Sequence, residues 1–353
     1  MTFQGPCSPD VWTDELRAEL RQSCGEQPDY VAAGTFLVEK AMAGTFDGYR
    51  ALFDASGATT GLTGCMLRGA TELLADAVLT VRMCAALPWL RPVRTAQDIR
   101  DAHADHEHAL LGMCQLNLLE PGNLDLLDNA AALGLAHTVD CAYNTQTFIG
   151  AGCTERNDPG LSHFGVRFVQ RCNEIGVIVD TAHSGRQTTL DACRFSARPV
   201  IATHTSASAL YEHHRAKSDD EIRAIADTGG IIGVLAVPSF LAAPDAGTVT
   251  IELVLDHIDY IATLVGVEHV GIGTDWPLAL PDDVLTQSFL PLATSTLGFR
   301  AEHALDTRRL DGFRDYRDLV NITRGLVQRG YSDQQIEGIL GENFLRILQA
   351  TVG

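Results

Sequence analysis

Leu161–Gly185 reads LSHFGVRFVQRCNEIGVIVDTAHSG, a helix pattern running directly into a strand pattern. Its first part, Leu161–Gly176, spaces apolar residues three and four apart and stops at a glycine, as a helix does. Its second part, Val177–His183, is a short apolar run that ends in polar residues and glycine, the pattern of a strand. The same alternation recurs on both sides. Strands are expected at Gly44–Tyr49, Ala58–Cys65, His108–Leu116, Ala136–Tyr143, Val177–His183, Val200–Thr205, Ile231–Pro238 and His269–Trp276, with helical segments such as Asp219–Thr228 between them. Eight repeats of strand then helix argue an α/β fold, a parallel (β/α)8 TIM barrel. The competing open doubly wound sheet lacks its glycine fingerprint, since no GxGxxG opens a helix after the first strand.

The length of 353 residues suits one barrel with additions. Ser8-Pro9 reads as a helix cap followed by proline, and Trp12, Leu16 and Leu20 follow at helical spacing, so residues 1–43 are expected to form a helical extension. Residues 44–353 then hold the barrel and C-terminal helices. The last of these, within Tyr316–Leu348, are split by Gly330-Tyr331-Ser332, with Ser332 as a cap. With 26 basic against 45 acidic residues, the formal charge of −19 has the wrong sign for nucleic acid or an anionic membrane surface. The first residues carry no basic-then-apolar leader pattern, and no run of about 18 apolar residues occurs. A cytoplasmic location is the expectation. Nine cysteines without a CxxC pair fit reduced thiols rather than a zinc ribbon.

In an α/β barrel the reactive groups stand at the C-terminal strand ends. Here those ends carry His183, His204 and Asp275. Two imidazoles on adjacent strands with a carboxylate nearby suit one divalent ion such as zinc. His103, His106 and His108 fall before the third strand, at the end of a barrel that is usually structural. No GxSxG elbow and no P-loop lysine motif occurs.

The same residues carry a resemblance. Gly176–Ser184, Arg198–Thr205, His214–Asp220, Gly229–Val234 and His269–Asp275 follow one another as in the membrane (renal) dipeptidase family of metal-dependent hydrolases. Tyr143–Cys153, Asp158–Gly165 and Gly341–Arg346 are similar to further parts of it. The resemblance implies that His183 and His204 bind a zinc ion and that Arg215 holds a substrate carboxylate, a task suited to a planar donor. It also implies that Asp275 handles the proton, that Tyr143 lies at the substrate site, and that the protein is a homodimer; Tyr49 and His214, the latter beside Arg215, are further candidates for lining that site. His213 abuts the same loop.

The chain departs from the family where the second ion would bind. Asp47-Gly48-Tyr49-Arg50-Ala51 stands where the family has a His-x-Asp pair, and Gln115 stands where it has a bridging glutamate. Two divalent ions about 3.5–4 Å apart need a carboxylate between them. The expectation is therefore one zinc or none, with Cys114 as a further thiol at the strand end. The function implied is hydrolysis of a small amide or dipeptide-like metabolite bearing a carboxylate. A lyase, cyclase or isomerase on the same barrel, or a catalytically dead scaffold, are the alternatives.

Overall fold

The computed structural model describes residues 11–66, 69–115, 117–275, 280–300 and 305–352. Two helices, α1 (Asp14–Cys24) and α2 (Tyr30–Met42), lead into α3 (Gly48–Ser56). Strands and helices then alternate as β1 (Thr60–Met66), α4 (Ala70–Ala86), β2 (Leu90–Pro92), α5 (Ala96–Ala104), β3 (His108–Gln115), α6 (Asp125–Ala132), β4 (Thr138–Asp140), α7 (His163–Ile175) and β5 (Ile178–Asp180). The series continues through α8 (Arg186–Phe195), β6 (Val200–Ala207), β7 (Ala216–Lys217), α9 (Asp219–Asp227), β8 (Ile232–Val234), α10 (Pro238–Leu241), α11 (Glu252–Val265) and β9 (Val270–Ile272). The strands form one curled sheet in the order β1-β3-β4-β5-β6-β8-β9, with β2 added on β3 and β7 on β6. Every strand pair is parallel, as βα alternation requires.

The opening stretch folds as its pattern dictates. Ser162 caps α7 by accepting the Gly165 N–H, and Gly176 ends the helix at φ 76°, where a side chain would be strained. Val177 then enters β5.

Gly44–Tyr49 departs from expectation. It is no strand: Gly44 turns the chain after α2, and Asp47-Gly48 opens α3. The physical reason is a helical spacing, because Tyr49 and Phe53 lie one turn apart and both are buried. Conversely β2 was not anticipated, since three residues ending in Pro92 show no period. Thr13 caps α1, while Ser8-Pro9, Leu116 and Trp276 lie outside the described residues. At the C-terminal end Ser332 caps Asp333–Glu337 through a reciprocal bond with Gln335, as its sequence suggested. Among the described residues no helix is long and apolar enough to cross a membrane.

Strand alternation sorts the side chains into layers. Cys114, Val139 and Val179 point outward into the core shared with Leu127 and Phe168 of the surrounding helices. Leu111, Ile178 and Ile201 belong to a separate cluster with Ile347 and Leu348 of the C-terminal helix Asn343–Val352. That helix also accepts a hydrogen bond from Arg198 at Ala350 O and donates through Arg346 to Gly229 O, so it closes the N-terminal end of the sheet. Further along the strands come Gln115, Asp140, Asp180 and Thr203, the first three of them buried. The interior thus turns from apolar to polar toward the C-terminal strand ends, where reactive groups gather.

Candidate active site

His183 follows β5 and His204 lies in β6, both buried, and their Nε2 atoms are 2.9 Å apart. Their outer partners fix which nitrogen carries hydrogen. Asn144 Nδ2 donates to Leu297 O at 2.6 Å, which leaves Asn144 Oδ1 to accept from His183 Nδ1 at 2.7 Å. Thr203 Oγ1 gives its single hydrogen to Asp180 Oδ2 at 2.5 Å, so it accepts from His204 Nδ1 at 2.8 Å. Asp180 is itself held as an acceptor by Ala182 N–H and Thr203 N–H. With Asp180 ionised, this network places the hydrogen of both imidazoles on Nδ1 and turns the Nε2 lone pairs toward each other. Burial keeps them neutral: it pushes His204 down to about 3 and His183 well below its ordinary value, with the Arg215 charge acting in the same direction.

Two facing lone pairs at this separation repel unless a positive group lies against them, and Arg215 Nη2, 3.3 Å from His183 Nε2, supplies part of that charge. Nitrogens about 2.1 Å from a shared metal sit roughly 3 Å from each other, so the pair fits one cation, with Nδ1 secured as in bound imidazoles. Asp275 Oδ1 is 4.0 Å from His204 Nε2. Its backbone lies at φ 58°, and that of Asn144 at φ 59°. Non-glycine residues hold this conformation at a cost, and such strain collects at functional sites.

Arg215 is fully buried. Its Nη1 donates to Ala182 O, and its Nη2 lies 3.1 Å from His204 O and 3.3 Å from His183 Nε2. Its guanidinium also faces the Phe240 ring at 6.0 Å. Only Nε has no hydrogen-bond partner. The bidentate fork expected from the sequence is thus already engaged with the main chain, leaving Nε–H for an external acceptor. Tyr143 stacks on His183 with ring centroids 3.9 Å apart, and burial together with Asp275 raises its phenol, which stays protonated.

The other expected residues fall in different places. His214 is half-buried, 4.1 Å from the His213 ring and 6.0 Å from that of Phe299, with His213 Nδ1 accepting the Arg215 N–H. Tyr49 is not brought to the site. It packs on α3 with Phe53 and Trp89, in a cluster that reaches His108 at the start of β3. His108 bonds Asp54 and Ala58 O there, a structural role. Cys114 faces outward and donates to Leu135 O at 3.6 Å. Gln115 is inward and buried, its Nε2 without a partner. Sequence reasoning passed over Asn144, Asp180, Thr203 and Lys217. A charged residue inside an apolar strand, as in Val179-Asp180-Thr181 and Ala216-Lys217, was the available signal.

The membrane dipeptidase profile (peptidase family M19) matches residues 37–291. The chain belongs to the membrane dipeptidase family. This is a family of metal-dependent hydrolases, the metallo-dipeptidases. An uncharacterised dipeptidase of Schizosaccharomyces pombe is 30% identical over 218 residues, 62% of this chain but 45% of that protein, so the chain matches less than half of that relative. Among solved structures, an amidohydrolase from Pseudomonas aeruginosa is 28% identical over 86% of this chain and 92% of its own, with a TM-score of 0.74. A metallopeptidase from Rhodobacter sphaeroides, liganded with a phosphinate mimic of the dipeptide L-Ala-D-Ala, shares the fold at 20% identity and a TM-score of 0.66, over 84% and 88% of the two chains. The curled parallel sheet with flanking helices is the barrel-like architecture of these neighbours.

Proposed function

We propose that this member of the family hydrolyses a dipeptide-like amide with a free carboxylate, using one metal ion between His183 and His204. The observation that carries the proposal is the pair of Nε2 atoms 2.9 Å apart, with both Nδ1 atoms bonded to other side chains. A bound ion would supply Lewis-acid polarisation of the substrate amide. The chain's own groups would do the rest. Asp275 would take and return the proton, Arg215 Nε–H would bind the substrate carboxylate at one point, and Tyr143 would form a wall over His183 and donate from its neutral phenol. His214 lies along the same loop. The dipeptide mimic held by the Rhodobacter relative supports a small peptide-like substrate.

A single ion is favoured because Tyr49 lies in a separate cluster on α3 and the inward group at the end of β3 is the neutral amide of Gln115. The positive Arg215 beside the pair also limits the charge that the site can take. Metal analysis after zinc reconstitution and dialysis tests the proposal: one equivalent per chain is expected. Two equivalents, or none, would overturn it.

A further inference from the structure

Lys217 is 2% exposed, unusual for a lysine, and all its donors are used. Nζ donates to Ser184 O at 2.8 Å and to Thr189 Oγ1 at 2.8 Å, and it pairs with the buried Glu221 at 3.2 Å. Glu221 in turn accepts from Ser218 N and Oγ at the start of α9. This ammonium is absent from the chemistry proposed above. Its position is nevertheless specific. Ser184 follows His183 directly, while Arg215, two residues before Lys217, binds Ala182 O on the other side of His183 and His204 O on the next strand. The short strand β7 that carries Lys217 is bonded to β6 just beyond His204, in the register Ser206↔Ala216 and Ala207↔Lys217.

We infer that Lys217 is a positioning residue that, with Arg215, clamps the main chain on both sides of His183 and so sets the separation of the two imidazoles. The inference rests on the proposed metal site. A buried ammonium bound to a main-chain carbonyl is costly to place there unless fully partnered, and here the partners lead to the site rather than to solvent. The outcome is a rigid path from α9 through Lys217 to the backbone that aims His183 Nε2 at His204.

Removing Lys217 alone strands a buried Glu221, so the test uses Lys217→Met/Glu221→Gln, which neutralises both and leaves Gln to serve the Ser218 cap. Glu221→Gln alone, which keeps the two Lys217 bonds to Ser184 and Thr189, is the control. Cobalt(II) binding is followed by visible absorption, with unfolding midpoints measured in parallel. The double variant should bind cobalt at least about ten-fold more weakly with a shifted d–d band, the scale expected for a residue behind a metal ligand. The control should match the wild type in cobalt affinity and band position, while its unfolding midpoint falls because Lys217 loses its counter-charge. A double variant with wild-type affinity and spectrum, whatever its melting point, overturns the inference. If the wild type itself takes up no cobalt, the metal proposal falls and the clamp is judged on the metal-free protein. Imidazole 15N shifts of His183 that move in the double variant then support it, and unchanged shifts reject it.

Discussion

Acid should destabilise this protein through its buried histidines, two of which lie outside the site. His137 and His257 are 4% and 2% exposed. In each, Nδ1 accepts a backbone N–H, from Gly112 at 3.1 Å and from Ala207 at 3.0 Å, so each ring is neutral and loses that bond when protonated. Burial pushes both down to about 4, against about 6.5 in an unfolded chain. A folded value below the unfolded one means that the unfolded chain takes the proton first. The contribution of these two groups is then complete above about pH 6.5, is lost as the pH drops, and stops changing below about pH 4. With these two values each histidine removes about 2 kcal/mol between pH 7 and pH 5, and about 3 kcal/mol by pH 4. Urea unfolding followed by circular dichroism at pH 7 and pH 5 reads the loss directly. In His257→Asn the amide oxygen can still accept the Ala207 N–H but does not titrate. That variant should lose about 2 kcal/mol less than the wild type over this interval. An equal loss in both proteins would refute the assignment of the acid sensitivity to His257. Because Ala207 lies three residues beyond His204 on β6, the same protonation loosens the strand that carries half of the imidazole pair.

His183→Ala and His204→Ala should each reduce zinc content to near zero in metal analysis while leaving the far-ultraviolet circular dichroism unchanged, since both rings lie in the polar layer and outside the apolar core. Asp275→Asn should lower turnover of a dipeptide substrate by about a hundred-fold or more and weaken zinc retention on dialysis as well; full turnover would remove Asp275 from the chemistry. Gly273→Ala should cost more than about 3 kcal/mol in thermal unfolding, because an added Cβ would lie 1.8 Å from Thr203 O and 3.1 Å from His204 Cα. A melting point within a degree of wild type would show that β6 and β9 can part without strain.

The fold was legible where its signals are local and repeated. Leu161–Gly176 carries a period, a cap and a stop, and Val177–His183 ends in polar residues, so α7 and β5 follow from residues next to one another. Gly44–Tyr49 failed for a related reason. A short apolar stretch does not separate strand from helix by period alone, and the deciding partner of Tyr49 is Phe53, one turn later and outside the stretch considered. Leu90–Pro92 is a strand only because β3 lies beside it, a relation that no local pattern contains.

The site divides along the same line. His183, His204 and Asp275 could be found because each ends an apolar run, but what would make them a cation site is spread across the chain. The hydrogen on His183 Nδ1 is dictated by Asn144, whose orientation is dictated by Leu297; that on His204 is dictated by Thr203, whose hydrogen is committed to Asp180. Arg215 illustrates the converse. Its residue type suggested a fork for a carboxylate, yet its Nη atoms are taken by strand-end carbonyls, so geometry rather than chemical type decides what it can still bind. The same reasoning bears on the metal count. Tyr49 does not simply replace a ligand at a strand end: it sits in a helix whose aromatic face is committed to Phe53 and Trp89. Restoring ligand side chains at positions 49 and 51 would therefore place them on α3 and not in the polar layer beside Gln115, Asp140 and Asp180, which supports a single ion as a property of the backbone path rather than of two substitutions.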